Sequence, residues 1–193
     1  MNGITINNKY IEYTNMSSVA IANKSQKRIM RDVARAMESD DIRFMYDDET
    51  GAGYVMFEAP GSLYHGQKHI IEIKFVYGSG DDIYRYPFDP PLLTFKTPIY
   101  HPNIGNAGSG IVCLDFLKSK DLWNPSCTIE SILVIIAALL SDPNPDSPQN
   151  ADAGRDFMNM DAKAFRKKCR AYYRENDRGP EYTKVKASLK KSL

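Results

Sequence analysis

Residues His69–Val76 read HIIEIKFV, which sets Ile71, Ile73 and Phe75 on one side of an extended chain. Alternation with a period of two is the pattern of a half-buried antiparallel strand. Upstream, Ile42–Tyr46 (IRFMY) alternates in the same way. Asp47–Gly53 (DDETGAG) then carries turn residues, and Tyr54–Ala59 forms a second strand before Pro60-Gly61-Ser62. Downstream, a Gly/Asp-rich loop and Tyr86-Pro-Phe-Asp-Pro-Pro91 lead to Leu92–Phe95, a fourth short strand. Strands joined by short turns favour an antiparallel meander, because parallel crossovers need a dozen or more residues per connection.

The flanks are helical. From Ser25, Ile29, Val33, Ala36 and Met37 recur at three- and four-residue spacing, while Lys24, Arg28, Arg31 and Arg35 form a cationic stripe on the other side. Residues 96–127 are rich in Pro, Gly and Asn and lack a regular period; a loop of that length inside a domain points to function or disorder. Thr128 can cap a helix to about Leu140 that is apolar nearly all round and therefore central and buried. Ser141–Pro148 (SDPNPDSP) stops it. Two more helices are expected at about Gln149–Asn159 and Asp161–Asn176, the latter with Ala162, Phe165, Cys169 and Tyr172 on one face. The expected fold is α+β: an N-terminal helix, a four-stranded antiparallel meander, a long active-site loop, a central buried helix and two C-terminal helices. Residues 1–22 read as a polar N-terminal extension, 23–176 as the folded domain and 177–193 as a basic C-terminal tail.

Composition narrows the function. With 42% hydrophobic and 11% aromatic residues in 193, the chain can build a core. Its longest apolar run, Ile132–Leu140, is far short of the roughly 20 residues that cross a bilayer. The start, MNGITINNKY, lacks the basic and apolar regions of a secretory signal. Cys113, Cys127 and Cys169 are odd in number and widely spaced, against a disulfide framework or zinc site, and fit a reducing compartment. A cytoplasmic and/or nuclear location is expected, with no membrane partner. Residues 163–193 carry eleven Lys/Arg against three acids, whereas the first 162 carry fourteen against twenty-one. The basic end reads as a solvated helix face and a frayed terminus, and nucleic acid is not an expected partner.

Several chemistries compete for the long loop. Gly105, Gly108 and Gly110 suggest a phosphate cradle, but Ile111-Val112-Cys113 follows where Gly-Lys-Ser/Thr or a helix start is needed. His65 and His69 have the spacing of two helical metal ligands, yet Gly66 and an entering strand separate them and no third ligand is evident; no metal is expected. A cysteine nucleophile is the stronger idea. Cys169 lies on an apolar helix stripe and Cys127 beside a helix cap, so both read as packed thiols; Cys113, after the apolar Ile111-Val112, reads either as a buried small hydrophobe or as the nucleophile. His101 could pair with it, or could pin backbone groups in the turn before Pro102. Asn103 could donate to an oxyanion on an acyl group held by the sulfur, or could brace the loop.

In order along the chain, Tyr86-Pro-Phe-Asp-Pro-Pro91, Ile99-Tyr-His-Pro-Asn-Ile104, the Ile-Val-Cys113-Leu-Asp run, Trp123-Asn-Pro125 and Asp142-Pro-Asn-Pro-Asp-Ser-Pro148 resemble ubiquitin-conjugating enzymes over about Ser25–Asn176. The resemblance makes 23–176 the catalytic domain. It implies that Cys113 accepts the C-terminal glycine of ubiquitin from an activating enzyme as a thioester, then passes it to a substrate lysine or a ligase cysteine. No cofactor is implied, since ATP is consumed upstream by the activating enzyme. Asn103 would serve the oxyanion, with His101, Asp115 and Ser147 in support. The stripe Lys24, Arg28, Arg31 and Arg35 would meet the activating enzyme and ligases, and Phe88, Trp123 and Pro125 would meet ligases.

Three departures from the family's commonest pattern bear on the site. Nine residues separate Asn103 from Cys113 and nine separate Cys113 from Trp123, about two more than usual in each case. Ser147 stands where many members have an acid that helps orient the amine, and Asp115 could take that part or cap the loop. Alternatives are conjugation of another ubiquitin-like modifier, a non-catalytic member that only binds ubiquitin or a ligase, and a hydrolase using Cys113 and His101. The presence of both Cys113 and Asn103 speaks against the binding-only reading.

Overall fold

Phe44, Val55, Ile71 and Phe95 stand side by side across four antiparallel strands, and that row is the spine of the core. The computed structural model describes residues 16–38, 43–78, 84–106, 108–112, 123–175 and 179–191. The strands are β1 (Arg43–Asp47), β2 (Ala52–Phe57), β3 (His69–Lys74) and β6 (Leu92–Phe95), in the order β1-β2-β3-β6. Between β3 and β6 the chain makes a separate two-stranded ribbon, β4 (Val76–Tyr77) with β5 (Tyr84–Arg85). The meander expected from the sequence is therefore present, with an added ribbon.

Helix α1 (Met16–Glu38) and helix α2 (Ile129–Ser141) close one face of the sheet, joining Ile29, Val33, Ala36, Ile132, Ile136 and Leu139 to the core. Helices α3 (Ala151–Asn159) and α4 (Ala162–Glu175) follow, and α5 (Gly179–Lys191) ends the chain. Caps fix where they start. Thr128 Oγ1 accepts from Ser131 N, Asn150 Oδ1 from Ala153 N, and Asp161 Oδ1 from Ala164 N.

Four differences from the expected elements have local causes. Helix α1 begins at Met16 rather than Ser25, since residues 16–24 hold neither Gly nor Pro and a helix propagates through them. Strand β2 begins at Ala52, so Gly53 is a strand residue and not part of the turn. A Cβ there would sit 2.5 Å from the Phe44 ring, so the missing side chain makes room for that ring. Helix α2 is buried through Ile129, Ile132, Ile135, Ile136, Leu139 and Leu140, but Val134 is 69% exposed, so one face is open.

The fourth difference is the largest. Residues 179–191, read as part of a tail, form α5, whose Tyr182, Val185 and Leu189 pack on Ala52, Tyr54 and Ile70. Strand β3 is consequently buried on both faces and not on one. The outward Glu72 is buried with it, accepting from Tyr54 Oη at 3.1 Å and pairing with Lys96 Nζ at 3.2 Å.

Candidate active site

The loop after β6 is stitched to the sheet through backbone bonds. Phe95 N donates to Gly110 O (2.8 Å), Val112 N to Leu93 O (3.0 Å) and Gly105 N to Ile111 O (2.9 Å). Ile104 and Val112 form an antiparallel bridge, and both are fully buried. Gly110, at φ 58°, permits this: a Cβ there would lie 2.1 Å from Phe95 O. The two ends of the motif loop are thereby held together, Ile104 directly after Asn103 and Val112 directly before Cys113. Cys113 and Asp115 themselves lie outside the described residues.

His101 is fully buried. Its Nδ1 accepts from Asn103 N at 2.9 Å, so the proton sits on Nε2, which donates to Leu139 O at 3.1 Å. Burial pushes its pKa down to about 4. The ring pins the turn, and both of its nitrogens are engaged there, which speaks against a free base at His101. Asn103 is buried too, with both ends of its amide engaged: Nδ2 donates to Asn144 O (2.6 Å) and Oδ1 accepts from Asn144 N (2.8 Å). It braces the 142–148 loop with one of its two Nδ2 hydrogens, and the second has no partner among the described residues. Ser147 is exposed on that braced loop. The sequence did not single out Asn144, because only its backbone takes part.

The other two cysteines differ from a nucleophile. Cys169 is fully buried, its thiol donating to Tyr100 O at 3.4 Å, and burial pushes its pKa up to about 12. Cys127 is half-buried beside the cap of α2. His65 is exposed in a turn, and His69 Nδ1 is 2.8 Å from Thr97 Oγ1. Among the described residues no group of His, Cys, Asp and Glu could hold a metal, and no helix is long and apolar enough to cross a membrane.

The expected partner residues lie along the middle and second half of α1 and beside it. Lys24, Lys27, Arg28, Arg31, Pro87 and Phe88 border a shallow hollow, and Phe88 is 50% exposed. Lys24, Arg31 and Arg35 face solvent as expected. Arg28 does not. Its guanidinium turns inward to Asp32 Oδ2 (2.7 Å), Pro125 O (2.6 Å) and Cys127 O (2.7 Å), drawn by a carboxylate buried four residues on. The sequence motifs pass over Asp32, although it falls on the apolar side of α1 near Ile29 and Val33, where an acid needs a partner. Trp123 is half-buried, its Nε1 donating to Pro87 O at 3.2 Å, whereas Pro125 is exposed.

Comparison with known proteins bears on the family and the fold. The profile of the ubiquitin-conjugating enzymes matches residues 25–173. The human ubiquitin-conjugating enzyme E2 T is 46% identical over 96 residues, 49% of this chain and 47% of that one. An Arabidopsis thaliana chain named for ubiquitin-conjugating enzyme E2 31 is 38% identical over 140 residues, 70% of this chain and 83% of that one. This chain spans about half the length of the human relative and 38% of the zebrafish one. Among solved structures, a Plasmodium yoelii protein assigned to these enzymes superposes with a TM-score of 0.62 at 30% identity, covering 81% of this chain and 97% of its own. A four-stranded antiparallel sheet closed by helices, the ordered motifs and these likenesses converge: the chain belongs to the ubiquitin-conjugating enzyme family.

Proposed function

We propose that this chain carries ubiquitin as a thioester on Cys113, with residues 23–176 as the catalytic unit. The observation that carries the reading is the Ile104–Val112 bridge, which ties the residue before the thiol to the residue after Asn103. In the first step the Cys113 thiolate attacks the thioester carbonyl of ubiquitin on the activating enzyme. A new C–S bond forms, the old one breaks, and the activating enzyme's sulfur leaves as thiolate. In the second step a neutral substrate lysine, or a ligase thiolate, attacks the same carbonyl and the C–S bond to Cys113 breaks. For lysine, the nitrogen's proton ends on the leaving sulfur or in solvent.

Exchange between two thioesters is close to balanced in energy, so it needs no strongly acidic thiol. Attack by lysine needs the minor neutral form of an amine whose ordinary pKa is about 10.4. It also needs a donor for the tetrahedral oxyanion, and the free Nδ2–H of Asn103 is proposed to fill that part. Asp115 and Ser147 are proposed to orient the amine, and Gly105–Gly110 to admit the extended tail of ubiquitin. Lys24, Arg31, Arg35 and Phe88 are proposed to meet the activating enzyme and ligases, with Trp123 and Pro125. No cofactor is proposed; the activating enzyme uses the ATP.

The test mixes the chain with activating enzyme, Mg-ATP and ubiquitin and resolves the products without reductant. One adduct, removed by thiol, is expected. Cys113→Ser should give an adduct that resists thiol, and Cys127→Ala and Cys169→Ala should charge normally. No adduct with ubiquitin but one with another modifier and its own activating enzyme would reassign the modifier. No adduct with any would leave a binding-only protein.

A further inference from the structure

Asp32 is a charged side chain with 2% exposure in the apolar side of α1. Its Oδ2 receives Arg28 Nε at 2.7 Å and the Tyr86 hydroxyl, while Arg31 Nε lies 3.7 Å from Oδ1. The same two partners reach onward. Arg28 spans Pro125 O and Cys127 O, and Tyr86 Oη, its proton on Asp32, lies 2.9 Å from Cys127 O. Trp123 then closes the circuit, donating to Pro87 O with its ring centre 5.7 Å from that of Tyr86. Three segments far apart in sequence (α1, the 86–88 turn and the 123–127 loop) are thus fastened to one carboxylate.

A buried ion pair is a poor way to stabilise a fold, since desolvation consumes most of the attraction. What it does supply is geometry: a guanidinium has a rigid fork of donors, and in Arg28 the fork fits two carbonyls and a carboxylate at once. The fastened segments are those that present Phe88, Trp123 and Pro125. We propose that Asp32 is a positioning residue for ligase docking, holding the 86–88 turn and the 123–127 loop at the separation a ligase recognises. This rests on the reading that those residues meet ligases.

The chain's single tryptophan makes the proposal measurable, because its indole N–H gives one NMR resonance from within the circuit. The experiment uses the full chain charged with ubiquitin and a ligase domain chosen because it accelerates discharge of the wild type. Asp32→Asn should move the indole resonance and raise the half-saturating ligase concentration about tenfold, as for a lost charged anchor. Its unassisted discharge to free lysine should stay within about twofold of wild type. Should Asp32→Asn fail to fold, Arg28→Lys serves: it keeps the charge but loses the fork, and the same rise is expected. Phe88→Ala is the reference. If it weakens ligase action and the Asp32 or Arg28 variant does not, the positioning role is overturned and the docking reading stands. If Phe88→Ala has no effect either, the docking reading fails. Equal losses in assisted and unassisted discharge would also overturn the proposal, because they mark general damage.

Discussion

His101 is neutral inside the protein and protonable outside it. The unfolded chain, with an ordinary pKa near 6.5, therefore binds a proton that the folded chain, at about 4, does not. Stability from this group is full above about pH 6.5, is lost as pH falls toward 4, and levels off below. The loss is of order 3 kcal/mol, and urea unfolding at stepped pH should show it; an unchanged slope in His101→Asn would contradict it. A second residue-scale prediction concerns Gly110. Gly110→Ala drives a Cβ to 2.1 Å from a backbone oxygen at positive φ and should cost about 3 kcal/mol. Gly108→Ala, at φ 94° but in open space, should cost about 1 kcal/mol. Equal costs would mean that the close approach to Phe95 is not what holds the loop. The sequence pointed to His101 and Asn103 through residue type and spacing. That the Asn103 amide grips the backbone N–H and C=O of a residue 41 positions away was not legible, because backbone partners leave no mark on composition.

Elements with strong periods were legible, and those whose burial depends on a distant partner were not. The alternation of β3 and the cap of α2 are local signals. Helix α5 is mostly polar, and only Tyr182, Val185 and Leu189, at three- and four-residue spacing, mark an apolar side. Its docking explains why the outer residues Met45, Tyr54, Met56 and Ile70 are apolar, a clue that was present in the strands. Leu189→Ala, at a fully buried position, should cost about 2–3 kcal/mol by urea titration. A change below about 0.5 kcal/mol would fit an undocked tail instead. On α1 the cationic positions should separate into two kinds. Replacing Lys24, Arg31 and Arg35 with Ala should slow charging, most at low salt, with little change in stability. Arg28→Ala should cost about 3 kcal/mol of stability, since it strands the buried Asp32. Identical behaviour of all four would contradict the inward turn of Arg28.

At the scale of the whole molecule the sheet and α2 share one core, and the described residues 108–112 lie along the β6 edge and are held there. On one side Gly110–Val112 pairs with β6; on the other Asn103 grips the loop after α2, which Gly154 lets α3 approach closely through Pro148. The α+β class and the order of motifs were readable because they depend on local pattern and on residue order. The clamp was not, because it is made by elements far apart in sequence. The central claim is that Cys113 is the sulfur that takes the acyl group. It is tested most directly by intact and peptide mass spectrometry of the chain after incubation with activating enzyme, Mg-ATP and ubiquitin under non-reducing, mildly acidic quench. The account predicts one added mass equal to ubiquitin less one water, mapped to Cys113 and released by hydroxylamine. The same mass on Cys127, or on a lysine with Cys113 free, would contradict it.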